Sequence, residues 1–102
     1  MAELNGRDYR EKLVHALRHP LADVRMRVII ALGRRGESET AEALVECALR
    51  YPIDVVAGQE IVCSLARLKS ADVRQTALST LKARHPASIV RKAAKRALTE
   101  PI

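Results

Sequence analysis

The sequence predicts an all-α fold, a short α-solenoid of three helix pairs. Three observations carry that expectation: a proline turn written almost identically three times, leucines fixed at equal intervals around it, and apolar residues at helical spacing between the turns. The turns read "ALRHP" at Ala16–Pro20, "ALRYP" at Ala48–Pro52 and "ARHP" at Ala83–Pro86. Leu17, Leu49 and Leu81 accompany them at intervals of 32 residues, and Leu32, Leu65 and Leu98 follow at intervals of 33. Self-similarity at this period marks a stack of units, each a helix pair that cannot bury its apolar face alone.

The elements follow in order. "DYREKLVHALR" predicts a helix over 8–18, with Tyr9, Leu13, Ala16 and Leu17 at three- and four-residue spacing. Pro20 has no amide hydrogen and restricts the residue before it, so this helix stops and a second, over 22–34, begins almost at once. Within the second, "VRMRVIIALG" spreads apolar side chains over most of the circumference, the pattern of a helix with neighbours on several sides. "GRRGE" at Gly33–Glu37 is a glycine-bearing break between units. "ETAEALVECALR" predicts a helix over 38–50, and Pro52 turns the chain into another over 54–68. "KSAD" at Lys69–Asp72 offers Ser70 as an N-cap, with an acid in the first turn of a helix over 71–84. After Pro86 the last helix, 87–99, gathers Ile89, Val90, Ala93, Ala94, Ala97 and Leu98 on one arc, with Arg91, Lys92, Lys95 and Arg96 filling the other. The repeats are therefore about 8–34, 38–68 and 71–99, in one domain covering 1–102.

Composition narrows the class of molecule. The 102 residues are 48% hydrophobic and 29% charged, which is the balance of a chain that folds. With no Trp or Phe and only Tyr9 and Tyr51, the core must be built from Leu, Val, Ile and Ala, so the helices pack closely. No apolar run approaches the roughly 18 residues of a membrane span, and "MAELNGRDYREK" lacks the apolar stretch of a signal peptide; a cytoplasmic protein is expected. Cys47 and Cys63 fall at apolar positions of different helices and are expected to be buried thiols.

The formal charge is +6, and it is unevenly placed. Residues 1–60 hold nine Lys and Arg against ten Asp and Glu, whereas residues 61–99 hold nine against one, Asp72. The basicity belongs to the C-terminal end.

Little in the sequence points to chemistry. His15 and His19 stand four apart, as in many zinc sites, but no third ligand accompanies them and His19 and His85 share a turn position; both read as turn residues. Neither cysteine nor any serine has a histidine and an acid at suggestive spacing, and "GRRGE" is no phosphate loop. No enzyme activity, cofactor or metal is expected. "VVAGQE" at Val55–Glu60 is irregular: Gly58 in an early helical turn costs about 1 kcal/mol against Ala. A close helix–helix approach would account for it, and so would a groove needing access to the backbone; packing is the simpler reading.

The residues of His19–Leu49, "HPLADVRMRVIIALGRRGESETAEALVECAL", resemble the HEAT-like repeat of the phycobilin-lyase type, which runs Pro, then Val-Arg, then Ala-Leu-Gly, a short turn and a second Leu-rich helix. Pro20, Val24, Arg25, Ala31, Leu32 and Gly33 carry the likeness, and Pro86, Val90, Arg91, Ala94, Ala97 and Leu98 repeat it. The middle unit departs from it: it needs one extra residue to align and has no Arg in the Val-Arg slot. Where the family usually places Asp before Pro to bond that Arg, this chain has His19, Tyr51 and His85. Arg25 and Arg91 therefore read as at least partly structural, able to satisfy backbone carbonyls at a helix end. The resemblance implies a right-handed α-solenoid, and also a chromophore-lyase accessory role, for which no residue here marks a bilin site.

The resulting expectation is a scaffold that docks another protein, as a monomer or weak homo-oligomer. The second helix of each pair, with Arg25, Arg27, Arg91 and Lys95, is the expected contact surface for an acidic partner, extended by Arg67, Arg74, Lys92 and Arg96. A polar solubilising end would also use Lys and Arg, but it would be free to mix in Glu, and this one does not. Nucleic-acid binding through the same cations is the alternative; it would rest on phosphates, since aromatic platforms and a helix-turn-helix are lacking.

Overall fold

In a computed structural model, residues 6–99 are described, together with all their side chains except that of Arg7. They form α1 (Gly6–Ala16), α2 (Ala22–Arg35), a single 3₁₀ turn (Ser38–Thr40), α3 (Ala41–Arg50), α4 (Val55–Ala66), α5 (Ala71–Arg84) and α6 (Ser88–Thr99). Among the described residues there is no strand. The helices lie in two rows. One is α2, α4 and α6 packed in file; the other is α1, α3 and α5, and each α1–α2, α3–α4 and α5–α6 pair joins the rows. The first pair does not close onto the third, so the stack is an open file with extents of 46 × 29 × 16 Å.

Helix boundaries follow local chemistry. Asp54 caps α4 by accepting the Ala57 amide at 3.1 Å, and Ser70 caps α5 by accepting that of Val73 at 3.4 Å. Gly36 ends α2 with φ +63°, a left-handed cap whose amide donates to the Leu32 carbonyl. Its own carbonyl accepts the Lys69 amide at 3.1 Å, while Ser38 Oγ accepts that of Ser70 at 2.9 Å. Two consecutive inter-pair turns are thereby tied together, side by side.

The core runs through Leu17, Ile29, Leu32, Leu44, Ile61, Leu65, Leu81 and Val90, all buried. Of the six periodic leucines, Leu17, Leu32, Leu65 and Leu81 are buried, while Leu49 and Leu98 remain partly exposed. The α2–α4 crossing is tight: a Cβ on Gly33 would stand 2.5 Å from Ser64 Oγ and 3.2 Å from Ser64 Cα. Ser64 Oγ in turn donates to the Ile29 carbonyl at 2.9 Å. At Gly58 packing is also what the structure shows, since a Cβ there would lie 2.8 Å from Val90 Cγ2 on α6.

Two expectations need correction. Cys47 is buried, and that burial pushes its thiol pKa up, but Cys63 is exposed. The apolar residues of α4 wrap nearly its whole circumference, so their pattern did not mark the side left open to solvent. Ile89, assigned to the dry arc of α6, is 47% exposed; Val90 and Ala94 are the residues that bury.

Candidate functional site

The proline turns are assembled from a recurring device. In the first, His19 Nδ1 accepts the Leu21 amide at 3.1 Å, which holds the turn. Arg25, six residues beyond the histidine, reaches back so that Nη1 donates to the carbonyls of His19 (2.8 Å) and Pro20 (3.1 Å). The third turn repeats both parts: His85 Nδ1 accepts the Ala87 amide at 3.0 Å, and Arg91 Nη1 donates to His85 (2.8 Å) and Pro86 (2.7 Å). These arginines clamp carbonyls that the turn would otherwise leave unpaired.

The middle turn uses other means. Tyr51 replaces the histidine, and its ring lies under the Arg25 guanidinium, 3.7 Å from the centroid. Gly58 holds the slot of Arg25 and Arg91, 33 residues from each. Its missing side chain leaves room for Val90 and for His85, whose Nε2 would stand 3.8 Å from a Cβ at Gly58. His85 is consequently buried, and its Nε2 has no hydrogen-bond partner among the described residues, whereas His19 is half-buried. In each case a residue of one unit meets the residue before proline of the next.

A third clamp is one that sequence reasoning missed. Arg74 Nη1 donates to the Leu68 carbonyl at 2.7 Å, again six residues back, but from the other row of helices. The signal was present: "ADVR" stands at Ala22–Arg25 and again at Ala71–Arg74. Their separation is about one and a half periods, so overlaying whole units hides it.

The eight basic residues are thus divided. Arg25 is 7% exposed and turned inward, and Arg74 and Arg91 are half-buried on their carbonyls. Arg27 is exposed but lies on α2, with α4 between it and α6. Arg67 is exposed at the C-terminal end of α4. Lys92, Lys95 and Arg96 are brought together on the exposed arc of α6, opposite Val90 and Ala94.

Two seams of the α1–α3–α5 row complete the surface. Across the first, Arg10 pairs with Glu37 at 2.8 Å and Glu39 at 3.5 Å, and Arg18 with Glu46 at 2.7 Å; Arg35 also binds Glu37, and Arg50 binds Glu46. Arg35 and Arg50 in first place hold the carboxyls of Glu37 and Glu46 below their ordinary pKa. Across the second seam, α3 and α5 enclose a groove of about 820 Å³ with a mainly apolar floor of Val45, Leu49, Val73 and Ala77. Among the described residues, no group of three or more His, Cys, Asp or Glu could hold a metal ion.

A family model of HEAT repeats matches residues 1–62, more than half of the chain. The chain belongs to the HEAT-repeat family. No curated relative and no solved structure matches it. The matched span ends within α4, and arginine–carbonyl clamps recur beyond it at Arg74 and Arg91. HEAT repeats are in general protein-interaction scaffolds, and their family is typically non-catalytic. No described helix of this HEAT-repeat chain is long and apolar enough to cross a membrane.

Proposed function

We propose that this HEAT-repeat chain is a non-catalytic adaptor that docks an acidic protein surface through its basic C-terminal part. The observation that carries this reading is the exposed arc of α6, where Lys92, Lys95 and Arg96 stand together in a segment whose single acid is Asp72. Arg67 and Arg27 supply outlying positive charge. Arg25, Arg74 and Arg91 act behind this surface as clamps that hold the turns, a division supported by their carbonyl contacts. Such a module works in the cytoplasm as a monomer or weak homo-oligomer.

The same cations suit phosphates, and one experiment separates the partners. The chain is titrated with a small acidic protein, duplex DNA and RNA at 50 and 200 mM salt. Binding of the acidic protein, weakened several-fold by Lys92→Glu with Arg96→Glu at unchanged stability, supports the adaptor. Stronger binding to nucleic acid, falling on the order of a thousandfold between those salts if about six phosphates are contacted, overturns it in favour of backbone binding. Indifference of the acidic protein to both substitutions removes α6 as the contact face.

A further inference from the structure

We infer that the groove between α3 and α5 is a second docking site, and that it takes a short amphipathic helix with Lys or Arg on one flank. This builds on the chain being an interaction scaffold but uses no residue of the basic α6 face. The two seams of one helix row differ in kind. The α1–α3 seam is bridged by ion pairs, and the surface there is lined by Arg10, Glu11, His15, Arg18 and Glu39 with Val14. The α3–α5 seam has a continuous apolar floor instead. Leu49 is the clearest sign: its periodic equivalents Leu17 and Leu81 are buried, while Leu49 is left half-buried in the groove.

The chemistry of the groove selects its occupant. Besides its charged rim, the walls offer only Thr76 and Thr80 as hydrogen-bonding side chains, so an extended peptide would leave backbone groups unpaired. A helix satisfies its own backbone and needs only an apolar stripe, read as anchors at i, i+3 or i+4, and i+7. The ten residues of α3 span about 15 Å, long enough for roughly three turns of such a helix. Charge sets its flank. Glu42 and Asp72 lie in the first turns of α3 and α5, at the end where the Ser70 amide meets Ser38, and neither is in an ion pair among the described residues. Arg74, the nearby cation on α5, is held by the Leu68 carbonyl. At the other end Glu46 is already shared by Arg18 and Arg50. The rim therefore presents two unneutralised carboxylates at one end, and a bound helix meets them with Lys or Arg.

The test uses the full chain, isotopically labelled, and three synthetic helical peptides with one Leu/Ala stripe and Lys, Gln or Glu at the flanking positions. The Lys peptide is expected to shift the amides of Val45, Leu49, Val73 and Ala77, and to bind about three- to tenfold more tightly than the Gln peptide, with the Glu peptide weaker still. The pair Glu42→Gln with Asp72→Asn should erase the Lys preference, and Thr76→Arg added to that pair, at an exposed position of the groove, should reverse it; a thermal melt establishes that each variant is folded. Absence of shifts in α3 and α5 with all three peptides, or equal affinity for all three, overturns the proposal. So does concentration-dependent shifting of the same amides without peptide, which would make a second copy the occupant. Loss of acidic-protein binding at α6 changes none of these outcomes, so the two sites fail separately.

Discussion

The first and third proline turns are built alike, and the middle one is not. At the outer two, a histidine accepts an amide two residues on and an arginine six residues on clamps two carbonyls. At the middle turn, Tyr51 stacks under the neighbouring Arg25, and Gly58 leaves its slot to His85 and Val90 of the next unit. A missing arginine here therefore records how two units fit together. The difference also teaches that a repeated surface charge need not be a contact residue: the chain reuses Arg at this slot because the turn leaves carbonyls to satisfy.

The largest way to break this comparison is to impose the repeat on its exception. Gly58→Arg would match Arg25 and Arg91 in sequence, yet its Cβ starts 2.8 Å from Val90 Cγ2, a β-branched side chain with no exposure. Overpacking of this kind should cost about 3 kcal/mol or more despite the gain in helix propensity, read by urea unfolding. Stabilisation by the same substitution would mean that the slot is open and that the gap at Gly58 is a groove. Next in size is Arg25→Ala, which should cost about 2–3 kcal/mol, because it removes a buried guanidinium that holds two carbonyls and covers Tyr51. A loss below about 0.5 kcal/mol in the same assay would show that the clamp is ornamental.

What could be read from the sequence was what periodicity controls. The three proline turns, the helices between them and the Ser70 cap all follow from spacing and from single-residue chemistry. The clamps of Arg25 and Arg91 were half legible, since a wheel places an arginine on a face but cannot say that its head returns to a carbonyl six residues earlier. Arg74 looks in sequence like a surface cation, because its "ADVR" match to Ala22–Arg25 lies half a unit out of phase with the proline turns. Cys63 was misplaced because α4 is apolar nearly all round, and only the position of its neighbours decides which side stays wet. The α3–α5 groove was hidden for a related reason: Leu49 looks in sequence like its buried equivalents Leu17 and Leu81.

A smaller effect sharpens the contrast between the two seams of the α1–α3–α5 row. Glu37 and Glu46 have pKa values below their ordinary 4.5, through Arg35 with Arg10 and through Arg50 with Arg18. Their folded values lie below the unfolded ones, so the stabilisation is fully present above about pH 4.5 and is lost as pH falls through the depressed folded values. Chemical denaturation between pH 6 and pH 3 should show a modest loss that Glu37→Gln with Glu46→Gln abolishes; the exposed Glu46 pairs should weaken with added salt more than the half-buried Glu37 pairs.

The most direct measurement sets two adjacent residues against each other. Arg91→Gln and Lys92→Gln remove the same charge one position apart on α6, and their thermal melts are compared under one condition. Arg91→Gln should lower the melting temperature by about 5–10 °C, as loss of two charge-assisted bonds worth about 1–2 kcal/mol predicts, while Lys92→Gln should move it by no more than about 2 °C. Equal shifts, or the larger one at Lys92, would contradict the division between clamping and free cations on which the account rests.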